Sequence, residues 1–217
     1  MKNKNLIRLT ERFVKQVLKR AESGHDYDHI ERVLQNAKKI LKKEKANKSI
    51  VFLGILLHDI ADPKFHDGDE KKAENIANAF LLEAGTDEET IGHVLEIIDG
   101  ISYKGGHNQK EKMSKELQIA QDADRLDALG AIGIARAFSY GGFKGRRIYN
   151  KKIEPIEYKD VESYRNSDAP TINHFYEKLL KLKDLMNTKT GKKIAQKRHA
   201  FMTVYLKQFL KEMKGKS

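Results

Sequence analysis

Two adjacent residues, His58 and Asp59, put an imidazole beside a carboxylate at the end of the most apolar run of this 217-residue chain, residues 50–57. Such groups are costly to desolvate at the end of a buried helix unless something compensates them, and a bound cation would do so. Neighbouring helical residues point about 100° apart. The pair can therefore offer two ligands only at a helix junction, where other helices supply the rest. The plain alternative is a polar helix end, with His58 hydrogen-bonded and Asp59 paired to a lysine.

Other residues could join them. His25 and His29 lie four apart in His25-Asp-Tyr-Asp-His29, one above the other on a helical face, a spacing at which two imidazoles can share a metal. Asp26, Asp28 and Glu31 add acceptors that could orient an imidazole from behind. Further on, Asp122, Asp124 and Asp127 sit in a stretch rich in Leu117, Ile119, Ala120, Ala123, Leu126, Leu129, Ile132 and Ile134. A helix so apolar should be central, and carboxylates inside it need a cation or a dense set of hydrogen bonds. The spacing predicts that one of the three faces the interior while the others meet Arg125 or water.

The elements that must position these groups read as helices throughout. Phe13, Val14, Val17 and Leu18 recur at helical spacing between Thr10 and Glu22, with Thr10 as the expected N-cap. A second amphipathic helix follows Gly24 and runs to Leu41; a third spans residues 49–60 and is expected to end at Pro63. Helical patterns continue around residues 73–82 and 91–98, separated by Gly85-Thr86. The central segment, residues 117–136, is expected to be helical throughout. Glycine-bearing loops carry Lys104 and Arg146, each able to approach a phosphate. A helix from Pro170 is expected to continue through Leu185. The final helix places Ile194, Arg198, Phe201, Met202, Tyr205, Leu206, Phe209, Leu210 and Met213 on one stripe for core packing or a homodimer seam. There is no internal repeat, and the fold class is all-α.

Composition excludes several chemistries. The chain has no cysteine, so disulfides, thiolate metal sites and cysteine nucleophiles are absent. No apolar run approaches a membrane span and the N-terminus has no apolar leader, from which a cytoplasmic protein without membrane partners is expected. The net charge of +11 is concentrated after Thr188, where nine basic residues face the single acid Glu212. Read as a solvated helix face lacking exposed aromatics for base stacking, this segment predicts no specific nucleic-acid binding.

The order His29, His58-Asp59, Asp124, with the words Gly-His25-Asp-Tyr-Asp-His29-Ile-Glu-Arg-Val, Leu-Leu-His58-Asp59-Ile and Gln-Asp-Ala-Asp124-Arg-Leu-Asp-Ala, resembles the HD-domain superfamily of metal-dependent phosphohydrolases. Within it the chain is similar to small bacterial hydrolases related to nucleotide pyrophosphohydrolases. The resemblance covers about residues 23–136, and residues 137–217 read as a helical extension of one HD-type domain spanning 1–217. It implies an all-α bundle with His29, His58, Asp59 and Asp124 as metal ligands. In the related nucleotidases, acids three and eight residues beyond the HD aspartate assist the water; Asp62 and Asp67 hold those positions here. The Gly-Tyr-Pro signature of cyclic-dinucleotide phosphodiesterases is missing.

Two imidazoles and two carboxylates suit Mn²⁺, Fe²⁺, Co²⁺, Ni²⁺ or Zn²⁺ better than Mg²⁺. Lys104, Arg125 and Arg146 are the candidates to hold phosphate charge. The expected activity is hydrolysis of (deoxy)nucleoside triphosphates to monophosphate and pyrophosphate. A nucleoside monophosphate phosphatase or another phosphodiesterase of the superfamily is the alternative within the class. Outside it stands a non-catalytic, metal-stabilised nucleic-acid-binding protein.

Overall fold

The computed structural model describes residues 2–20, 26–60, 71–103, 112–160, 162–163 and 167–216. Among them every regular element is helical, as the periodicity predicts. Contacts cluster into two units, residues 1–103 with 108–124 and residues 104–107 with 125–217.

The first unit is built around α3 (Lys48–Leu57), in which all residues from Ile50 to Leu57 are buried. A helix apolar on every side must be covered on every side, and α1 (Lys2–Val17), α2 (Tyr27–Leu41) and α5 (Glu88–Gly100) pack against it. Helix α4 (Lys72–Glu83) packs on α5. Caps define where the helices start. Asn47 accepts from the amides of Ser49 and Ile50 at the head of α3, and Asp87 accepts from Thr90 N at 2.8 Å at the head of α5.

The approach of α3 to α5 depends on Gly54, where an added Cβ would lie 2.6–2.8 Å from side-chain carbons of Ile97. Gly54→Ala is therefore expected to destabilise the fold by about 1–3 kcal/mol from overpacking, less the helix-propensity gain of about 1 kcal/mol. Denaturant unfolding checks this; a variant as stable as the parent would mean that Ile97 moves aside without cost.

Thr10 is not an N-cap. Helix α1 begins at Lys2, and Thr10 is buried mid-helix with Oγ1 donating to the Leu6 carbonyl at 2.9 Å, the backward bond by which threonine is accommodated inside a helix. The helix ends at Val17 in a 3₁₀ turn, Leu18–Arg20. His25 and Pro63 lie outside the described residues.

The central apolar segment is two helices, α6 (Lys115–Asp127) and α7 (Gly130–Phe143), where one was expected. Leu129 adopts an extended conformation and Gly130 a φ of +76°, which only glycine takes without strain. The break separates two burial patterns. Leu117, Ile119, Ala120, Ala123 and Leu126 on α6 are fully buried, whereas Ile132 on α7 is exposed.

In the second unit, α7 packs on α9 (Lys189–Glu212), and a 3₁₀ segment, Leu179–Leu185, connects α8 (Thr171–Glu177) to it. The helix expected through Leu185 thus changes type after Glu177. Leu179, Leu182 and Leu185 recur every three residues, the period that keeps one face of a 3₁₀ helix inward. The buried Glu177 accepts from Ile156 N at 3.3 Å and Tyr158 Oη at 2.8 Å, which ties the irregular stretch from Ile156 to Tyr158 to α8.

The stripe expected on α9 is narrower than the sequence suggests. Met202 and Leu206 are buried, but Phe201 is 52% exposed and Met213 51%. Phe201 precedes Met202 by one residue and so points about 100° away from it. The expectation that no aromatic stands on the outer face is corrected accordingly.

Candidate metal centre

Three helices of the first unit bring His29, His58, Asp59 and Asp124 to one point. His29 is in the first turn of α2, which Asp26 opens: its carboxylate accepts from the His29 amide at 3.0 Å and so sets the depth at which the imidazole enters. That employment takes Asp26 away from the role of orienting an imidazole, and Asp28 and Glu31 are exposed. His58 caps the C-terminal end of α3, and Asp59 follows it in the turn. Asp124 projects from the buried α6.

The side chains converge closely. His29 Nε2 lies 3.6 Å from an Asp59 oxygen and 3.4 Å from an Asp124 oxygen, while His58 Nε2 lies 3.4 Å from the other Asp59 oxygen. The rings of His29 and His58 meet edge to face, 5.6 Å between centroids. Ligand atoms of His29, His58 and Asp59 all lie within 4.8 Å of one another. Two donors each about 2.1 Å from a shared ion are about 3.0–3.4 Å apart at right or tetrahedral angles, close to the separations found.

Tautomer and charge fit a cation as well. His58 Nδ1 lies 2.8 Å from the carbonyl of Ile55; since a carbonyl only accepts, Nδ1 carries a hydrogen, and Nε2 is the ring nitrogen turned toward Asp59. Burial alone would push the Asp124 carboxyl up, but the hydrogen bond from His29 and the positive potential of His29 and His58 outweigh it. The net effect holds Asp124 below its ordinary value of 3.8, with Asp59 opposing. Two carboxylates and two imidazoles converging in one buried place make a mixed oxygen and nitrogen donor set of the kind that holds a divalent transition cation. The residues present fit the group that the resemblance implies.

The aspartates of α6 are distributed differently from the expectation. Asp122 and Asp127 are both buried, and Asp127 pairs with Arg136 at 2.9 Å. Asp124 is the one with an opening, its side chain 20% exposed. Arg125 is buried in the second unit and donates from Nη1 to the Leu185 carbonyl. Arg146, also in that unit, donates to the Ser167 carbonyl with its guanidinium 5.5 Å from the Tyr140 ring centroid. Asp62, Asp67 and Lys104 lie outside the described residues.

A supporting residue escaped the sequence reading. Asn36 is buried, and its Nδ2 donates to the Ala123 carbonyl at 3.0 Å, tying the helix that bears His29 to the residue before Asp124. Gln121 similarly donates to the Gly100 carbonyl at 2.7 Å, tying α6 to α5. The signal for Asn36 was available: it stands seven residues after His29, nearly two full turns, as an amide among the apolar residues Val33, Ala37 and Ile40.

Comparison with known proteins agrees with this geometry. The HD domain family model matches residues 26–129. An HD-superfamily hydrolase from Bacillus thuringiensis is 42% identical, with 98% of each chain covered and a TM-score of 0.76. A structure from Lactobacillus plantarum is 36% identical over 97% of this chain and 98% of that one, with a TM-score of 0.87. Bacillus subtilis YpgQ, an uncharacterized protein, is 36% identical over 204 residues, 94% of this chain and 91% of that one. It has been solved in complex with ADP; that structure is 34% identical, covers 98% of this chain and 97% of that one, and has a TM-score of 0.74. No described helix is long and apolar enough to cross a membrane. With the motif residues converging in space and whole-length relatives in the same superfamily, the chain belongs to the HD-domain family and is a metal-dependent phosphohydrolase of that class.

Proposed function

We propose that the chain hydrolyses nucleotides, splitting a (deoxy)nucleoside triphosphate into monophosphate and pyrophosphate at a centre held by His29, His58, Asp59 and Asp124. The observation that carries the metal assignment is the convergence of His29 Nε2, His58 Nε2 and the two carboxylates at 3.4–3.6 Å. What supports a nucleotide as substrate is the ADP complex of Bacillus subtilis YpgQ.

A divalent transition ion such as Mn²⁺ supplies, when bound, the positive charge that acidifies water and polarises a phosphoryl oxygen, together worth several kcal/mol. His29 and His58 present lone pairs and Asp59 and Asp124 present charge. Asp62 accepts the proton of the attacking water, with Asp67 as the second acid. Oxygen from water bonds to the α-phosphorus as the bond to the bridging oxygen breaks, and pyrophosphate leaves with that oxygen. Lys104, Arg125 and Arg146 are assigned to the phosphate charge, in keeping with the preference of phosphoryl transfer for fixed cations.

The test is a screen of Mn²⁺-loaded protein against nucleoside mono-, di- and triphosphates, with pyrophosphate and orthophosphate assayed separately. Pyrophosphate from triphosphates, in step with monophosphate, is the expected result. Orthophosphate released from monophosphates would replace this reading with a phosphatase.

A further inference from the structure

The second unit contains a cleft of about 550 Å³ lined by Lys183, Asp184, Lys192, Gln196 and His199. Three of these come from α9 at positions 192, 196 and 199, spacings of four and three that align them along one helical face. Lys183 and Asp184 come from the 3₁₀ segment Leu179–Leu185.

The lining is a set of donors with one acceptor already taken. Lys183 Nζ lies 2.7 Å from both oxygens of Asp184, so the one carboxylate among the described residues that line the cleft is answered from within it. No hydrogen bond or ion pair engages the Lys192 ammonium or the Gln196 amide among the described residues. His199 Nδ1 is buried without a partner, and burial, reinforced by Lys183 and opposed by Asp184, lowers the pKa of the ring. That leaves Nε2 as the ring's polar atom for the cleft. With Lys183 and Asp184 cancelling, the remaining charge is the positive one of Lys192.

An ammonium, an amide and an imidazole along one face, around a space in the size range of small-molecule sites, suit a ligand rich in acceptors and negative charge. We propose that this cleft binds a phosphate-bearing anion, held by Lys192, Gln196 and His199. The phosphate belongs either to free pyrophosphate or to a nucleotide.

The test uses the full chain loaded with Zn²⁺ to keep it diamagnetic, following the imidazole signals of its eight histidines by NMR. His199→Gln identifies the His199 signal by its loss. Pyrophosphate, ADP and adenosine are titrated separately. Pyrophosphate and ADP are expected to move the His199 signal to saturation and adenosine to leave it in place; whichever of the first two saturates at lower concentration is the source of the phosphate. In Lys192→Ala, an exposed substitution that does not disturb the core, half-saturation should need about tenfold more ligand, the value of one charge-assisted hydrogen bond. Three results would each overturn the site: no movement at about 10 mM pyrophosphate, above the millimolar range of weak binding; equal movement by adenosine and ADP; or an unchanged titration in Lys192→Ala. That last result would mean the signal responds to binding elsewhere. These readouts stand apart from turnover, so a failed nucleotide screen and an empty cleft are distinguishable.

Discussion

Asp59→Ala is expected to lose its stoichiometric metal and to fall to background turnover, and His58→Ala to do the same. Asp59 is the side chain that the other ligands share: one oxygen faces His29 at 3.6 Å and the other faces His58 at 3.4 Å. Its removal takes a charge from the site and opens the geometry on both sides. The remaining buried ligands then keep their desolvation cost without a partner. Loss of several kcal/mol of electrostatic stabilisation corresponds to a rate reduction of roughly 10³-fold or more. Stability should fall as well, since an ion present at a thousand times its Kd contributes about 4 kcal/mol to the folded state. Elemental analysis and thermal unfolding, each with and without a chelator, provide the check. Full occupancy in both variants would sink the ligand assignment.

Asp62→Ala should behave in the opposite way toward the ion while also losing turnover. A carboxylate that takes a proton from water without holding the metal can be deleted with occupancy intact, and general-base contributions are typically about 10²–10⁴-fold. Metal content and kcat measured on the same preparation separate the two roles. If Asp62→Ala empties the site as completely as Asp59→Ala, Asp62 is a ligand and the proton acceptor lies elsewhere, with Asp67 next in line.

The contrast between these variants follows from two kinds of information. His58-Asp59 and the aspartates of the segment around Asp122, Asp124 and Asp127 stand out in the sequence because they violate their context: polar, chargeable groups in or beside apolar helices demand an explanation that surface residues do not, and the choice of His29 and Asp124 among them rests on the resemblance to the HD-domain superfamily. The buried α3 was legible for a related reason, since eight apolar positions in a row leave no face for solvent. Asn36 carried a weaker signal, because an amide on an apolar helix face has many ordinary uses until its acceptor, the Ala123 carbonyl 87 residues away, is known.

Helical class and the approximate helix positions are thus determined by the sequence itself, through periodicity, and the residue types of the candidate metal centre are marked there by motif and by the cost of burying charge. Tertiary structure decided the rest. A continuous apolar pattern cannot reveal that Gly130 takes a positive φ and divides α6 from α7, because glycine is also tolerated inside helices. Nor can it reveal which aspartate opens toward the histidines: Asp122, Asp124 and Asp127 are chemically alike, and only packing buries the first, points the second at His29 and gives the third to Arg136. On α9, one residue's difference in register separates buried Met202 from exposed Phe201, although the two share hydrophobicity. Composition sets how much apolar surface a helix must hide, but the neighbours that the folded chain supplies determine which face is hidden.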